Sequence, residues 1–143
     1  MALFVRWAHV LAATTWIGGM LFIALVLVPV SRRLGDAGLR ARLVQETGRR
    51  FRTIGWHALV LLVVTGLLNL WLHPFLLRSP RLFWKLGLVV LALLLSALHD
   101  FVLGPRAGIP DADPSVRLRA SWVARLNVAV ALAIVLVGLS LRG

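Results

Sequence analysis

The chain has no cysteine and only two methionines, Met1 and Met20. The first absence excludes disulfides, thiolate metal sites and cysteine nucleophiles together. The second excludes a methionine-rich copper relay of the kind thioether ligands build. Acidic residues are scarce too, five against sixteen Lys and Arg, which leaves a net charge of +11. Apolar residues, by contrast, make up 60% of the 143 positions, and the mean hydropathy is +0.91. A soluble domain of this size alternates apolar and polar faces, whereas here the apolar runs are nearly continuous.

Four such runs cover residues 3–30, 53–77, 82–104 and 120–141. Each has the roughly 20 residues a helix needs to cross a bilayer. With short loops they use up the chain, so the expected fold is all-α: an integral membrane four-helix antiparallel bundle, one domain over 1–143. The first run is too long for a signal-peptide core and lacks a small-x-small site before Arg32-Arg33, so it reads as a retained helix. The connection around Ser79-Pro80 is short, which favours antiparallel packing of the helices it joins. The third helix is expected to end at Gly104-Pro105. Residues 104–115, with three prolines and two aspartates, form the clearest non-helical stretch. Asp113-Pro114 there reads as an N-cap followed by a first-turn proline. Asp111 and Asp113 are better turn and cap residues than cation ligands, because two carboxylates do not complete an oxygen cage.

The positive charge has a membrane explanation rather than a nucleic-acid one. Arg32, Arg33, Arg40, Arg42, Arg49, Arg50 and Arg52 crowd the first loop, and Arg106, Arg117 and Arg119 lie in the third. The opposite side holds Arg6, Arg78, Arg81, Lys85 and Arg142. The positive-inside rule then puts loops one and three in the cytoplasm and both termini outside, in a bacterial-type inner membrane. Within loop one, Leu39, Leu43, Thr47 and Phe51 recur every four residues between arginines. That pattern predicts a short amphipathic helix over 34–52 lying on anionic headgroups. Trp7, Trp56, Trp71, Trp84 and Trp122 fall near helix ends, where an aromatic belt belongs. Trp16 falls mid-helix.

Ionisable side chains in hydrocarbon are costly and tend to mark function. At 1.5 Å per residue, His9, His73 and Lys85 lie about 12–14 Å to the outer side of the midplane. His57, His99 and Arg125 lie about 9–12 Å to the inner side. His9, Ala12, Ala13 and Trp16 share one helical face, as do Lys85, Ala92, Ser96 and His99, and Gly66, Asn69 and His73. His57 falls about 160° from His73 on a straight helix, so both cannot face one centre unless Pro74 alters the outer end. The candidate metal ligands are His9, His57 and His99. Lys85 and Arg125 join them as cofactor-binding candidates, since cations at the membrane edge pair with carboxylates. Bland roles compete with these: His73 as a cap, His57 against lipid phosphate, Lys85 and Arg125 reaching for headgroups. Asp100 is the protein partner expected for Arg125. Gly18, Gly19, Gly66, Gly87 and Gly138 read as places where helices approach closely.

The segment from His9 through Trp16 to Gly18-Gly19, followed by Pro29 and Arg32, resembles the first helix of the copper-resistance protein D (CopD) family. It is also similar to the first helix of HemJ-type protoporphyrinogen oxidases, which share a His-x6-Trp-x-x-Gly arrangement. Arg52 leading to Thr65-Gly66, and Trp84-Lys85 leading to His99, extend the similarity over about two thirds of the chain. The HemJ-type resemblance implies haem b in a four-helix bundle, with His9, Lys85 and His99 at the key positions. The CopD resemblance implies copper uptake or tolerance. The interval from Lys85 to His99 is longer than in the HemJ pattern, and no doubled histidine follows it. Imidazole suits haem iron, while Cu(I) transport favours soft sulfur donors that are scarce here. The expected function is therefore haem-based membrane redox chemistry, with a quinone, porphyrin or electron-transfer partner. Copper handling, or a structural bundle without catalysis, stand as the alternatives.

Overall fold

The computed structural model describes residues 1–109 and 111–140. Arg142, one of the outer charges counted above, and the end of the fourth apolar run lie outside them. The described residues are helical throughout apart from short connections, with no strand among them. Four helices are long and apolar enough to cross a membrane: α1 (Ala2–Ser31), α2 (Ala37–Leu72), α3 (Pro80–Ala107) and α4 (Pro114–Ser140). A 3₁₀ turn, Pro74–Arg78, lies between α2 and α3.

Local chemistry sets the ends. Asp36 caps α2, its carboxylate accepting the backbone N–H groups of Gly38 at 2.7 Å and Leu39 at 3.1 Å. Asp113 does the same for α4, accepting from the Ser115 N–H at 2.7 Å. That backbone hydrogen bond, helped by the Ser115 hydroxyl and by Arg119, holds the Asp113 carboxyl below its ordinary range. Such caps satisfy amide donors that have no partner within the helix. Pro80 opens α3 and Pro114 opens α4, where a missing N–H costs nothing. At the far end of α2, Pro74 bars helical geometry from His73, which sits at φ −136°, ψ 67°.

Two helices contain a wider, π-type turn: Ile23–Leu27 in α1 and Leu98–Leu103 in α3. Each lies just before a proline, Pro29 or Pro105. A helix-interior proline removes one N–H and clashes with the carbonyl four residues earlier. Those carbonyls, Leu25 and Phe101, fall inside the π turns, so the widening absorbs the clash. Pro105 therefore does not end the third helix as the sequence led us to expect. The helix carries on through Gly104–Ala107.

A second expectation needs correction. Residues 34–52 do not form a separate surface helix. From Ala37 the basic segment runs without a break into the second span, as one helix of 36 residues. Leu39 and the arginines are helical, as the four-residue spacing implied, but no Gly-Pro or other breaker separates them from residue 53 onward.

The contacts group into two compact units, Met1–Leu77 and Arg78–Gly143. In the first, Val5, Ala12 and Trp16 of α1 are buried, as are Gly55, Ala58, Leu59 and Thr65 of α2. Trp16, the tryptophan that fitted no aromatic belt, is 5% exposed, whereas Trp7, Trp71, Trp84 and Trp122 are all more than half exposed. Its indole packs beside Gly55, where a Cβ would stand in ordinary contact, 3.7 Å from Trp16 Cδ1. In the second unit, Leu82, Ala92, Leu95 and Ser96 of α3 are buried, as are Ala120, Asn127, Val130 and Ala131 of α4.

Candidate functional site

All four histidines turn Nδ1 to an acceptor, and a cation takes up the Nε2 of His73. His73 is fully engaged. Its Nδ1 lies 3.1 Å from the Asn69 carbonyl, to which it donates. Its Nε2, 3.0 Å from Arg6 Nη2, accepts. Nδ1 caps the end of α2, the role weighed for it from the sequence, and Nε2 ties that end to α1 through Arg6.

His9 is different. Its Nδ1 is 2.8 Å from Thr65 Oγ1. Thr65 has one hydroxyl proton, and that proton goes to the Leu61 carbonyl at 2.6 Å. The hydroxyl is therefore the acceptor and His9 Nδ1 the donor, which places the ring's lone pair on Nε2. Thr65 is 4% exposed, so this tie is well shielded. Gly66, next to it, leaves the space beside the ring open: a Cβ there would meet His9 Cε1 at 3.6 Å.

His57 and His99 show the same polarity. His57 Nδ1 donates to the Thr53 carbonyl at 2.7 Å, one turn back along α2. His99 Nδ1 donates to Asp100 Oδ1 at 2.9 Å. Adjacent residues on an α-helix do not face each other. His99 and Asp100 meet because they lie in the π turn, where rotation per residue is smaller. That turn depends on Gly104, whose N–H donates to the His99 carbonyl. A Cβ on Gly104 would come within 2.9 Å of that oxygen. Ligating histidines characteristically donate their second nitrogen to a carbonyl or carboxylate, which fixes the tautomer and raises the basicity of the other nitrogen. His57 and His99 have this arrangement and His9 has its hydroxyl counterpart; His73 also donates through Nδ1 to a carbonyl, but Arg6 takes up its Nε2.

They do not share one centre within the first unit. His9 lies level with Thr65, and His57 is eight residues earlier in α2, about 12 Å away along the axis. Two ligands of one metal each lie about 2 Å from it. Among the described residues no three His, Cys, Asp or Glu side chains converge.

The remaining candidates lie in the second unit. Lys85 lies over Gly138 of α4, its Nζ 3.3 Å from where a Cβ would stand. Arg81, a turn earlier, donates to the Ser140 carbonyl at 2.7 Å. The Arg125 guanidinium lies 5.3 Å from the centre of the Trp122 ring, a cation–π contact on the exposed side of α4. Between these levels Asn127 donates to Ser96 at 2.9 Å in a buried hydrogen bond. Neither Asn127 nor Thr65 was expected from the sequence to take part in a site. For each the signal was present: an amide or hydroxyl inside an apolar run, on the face occupied by Ser96 or opposite His9.

The family model described as "Copper resistance protein D" matches residues 45–141. A protein of Aquifex aeolicus (strain VF5), described as "Uncharacterized protein", is 36% identical over 135 residues, 94% of this chain and 90% of that relative. No solved structure matches.

Proposed function

The chain belongs to the copper resistance protein D family, and from that premise we propose that it is a multi-pass membrane protein binding haem b through at least one of His9, His57 and His99. The observation that carries the reading is the polarity of these rings, each tied through Nδ1 with its lone pair on Nε2, a polarity His73 shares but spends on Arg6. A bare copper ion held as a resident cofactor needs several protein donors at one point. The described residues, with no cysteine and no converging trio, do not fit such a site. Haem needs only one or two protein ligands, because the porphyrin supplies the other four, so isolated imidazoles fit it. When bound, haem would supply one-electron chemistry to a quinone, porphyrin or protein partner. Thr65 and Asp100 hold the Nδ1 protons of His9 and His99. Buried Ala12 and Trp16, on the His9 face, limit water. Lys85 and Arg125 are the cations proposed to pair with propionates.

The expected result is a haem absorption spectrum from protein purified in detergent, with less haem bound by His9→Ala or His99→Ala. A colourless protein that stays colourless after haem reconstitution, yet binds copper stoichiometrically, would overturn the haem reading. It would support the second one, favoured by the family's description: copper uptake or tolerance, with copper as passing cargo.

The proposed orientation has both termini outside, in a bacterial-type inner membrane, supported by ten cations on loops one and three against five on the other side. Gly35→Cys and Asp111→Cys should react with an impermeant thiol reagent only after the membrane is opened. Reaction at both in intact cells would reverse the topology.

A further inference from the structure

We propose that the groove between the loop-one ends of α1 and α2 binds an anionic phospholipid of that leaflet. The site requires the membrane reading only, and not the cofactor. The groove, of about 500 Å³, is lined on its apolar side by Gly19 and Phe22 of α1 and by Phe51 and Ile54 of α2, and on its polar side by Glu46 and Arg50. Small-molecule sites run from roughly 300 to 1,000 Å³. Its floor exists because Gly19 has no side chain: the Phe51 ring occupies the space a Cβ would need. Phe22 is 53% exposed and Ile54 45% exposed, so the apolar wall is open to a ligand from the side.

Depth and charge identify the occupant. At 36 residues α2 is about 54 Å long, against a hydrocarbon layer of about 30 Å. Residues 53–72 carry no Lys, Arg, Asp or Glu and by themselves match that layer, while Arg49, Arg50 and Arg52 immediately precede them. The groove thus straddles the boundary between headgroups and hydrocarbon. Its polar end comes from the arginine-rich half of α2, and its apolar end runs on to Ile54. Glu46, the one acid in the lining, is neutralised by its ion pair with Arg49. Arg50 therefore sets the sign of the rim. An acyl chain along Phe22, Phe51 and Ile54 with its phosphate at Arg50 matches both the polarity gradient and the charge.

The test is native mass spectrometry of the full chain in detergent, titrated with phosphatidylglycerol or phosphatidylcholine. Wild type should retain phosphatidylglycerol in preference. Arg50→Gln should lower that retention about fivefold, the factor expected for one juxtamembrane cation. Arg50→Lys should keep most of it, and Arg106→Gln, in another loop, should leave it unchanged. Equal retention of the two lipids would overturn the proposal, as would equal losses in Arg50→Gln and Arg106→Gln. So would displacement of the lipid by millimolar inorganic phosphate, which would mark a phosphate site indifferent to the acyl chain.

Discussion

In Gly104→Ala, cofactor affinity through His99 is expected to fall about tenfold or more, the usual consequence of losing the group that orients a ligating histidine. The added methyl would stand 2.9 Å from the His99 carbonyl oxygen, the atom that accepts the Gly104 N–H and closes the π turn. Backbone meets backbone here, so no side-chain rotation relieves the contact. The turn must tighten towards α geometry or α3 must bend. Either change rotates His99 away from Asp100, because neighbours on a regular α-helix do not face each other. A stability loss of about 1–3 kcal/mol should accompany it, as for other overpacked sites. Gly87→Ala, in the same helix, is the control, since a Cβ there meets nothing within 4 Å. Cofactor titration and thermal unfolding of both variants in detergent decide the matter. If Gly104→Ala matches Gly87→Ala in both, the π turn does not orient His99. Asp100→Asn separates the two effects, because it should weaken the cofactor while leaving the backbone intact.

The parts of this molecule that were legible in the sequence are those governed by period and composition. Apolar runs of sufficient length gave four helices, and helical periodicity placed Ala12 and Trp16 on a buried face and Ala92 and Ser96 on another. The boundaries that misled are those where a local rule was overridden. Gly104-Pro105 looked like a helix end, yet the π turn absorbs the proline and the helix continues. Residues 34–52 looked like a separate element because their composition changes at Arg52. Composition marks the membrane boundary, whereas helix continuity depends on backbone hydrogen bonds, which nothing between Ala37 and Leu72 interrupts. The candidate histidines were visible as residues, but their ranking was not. What marks out His73 is the Arg6 guanidinium on its Nε2, while the Nδ1 protons of His73 and His9 are held by the Asn69 carbonyl and the Thr65 hydroxyl. These partners are remote in sequence or are backbone atoms, and periodicity does not encode them.

Thr65→Val tests that proton logic most directly. Valine keeps the β-branched shape, which suits a helix packed against α1, and removes only the hydroxyl. The Leu61 carbonyl keeps its backbone helix bond, so the main loss is the acceptor for His9 Nδ1. A donor left without its acceptor costs about 1–3 kcal/mol. The ring can avoid that cost by moving its proton to Nε2, which is the nitrogen proposed to bind iron. Cofactor affinity at His9 should then drop about 10–100-fold, and Thr65→Ser, which restores an oxygen, should recover most of it. The decisive readout does not need cofactor at all. Nitrogen-15 shifts of the His9 ring in cofactor-free protein report which nitrogen carries the proton. They should show Nδ1–H in wild type and Thr65→Ser, and a mixture or a full exchange to Nε2–H in Thr65→Val. If His9 keeps its Nδ1 proton in Thr65→Val, the hydroxyl does not set the tautomer, and the case for His9 as the oriented ligand loses its support.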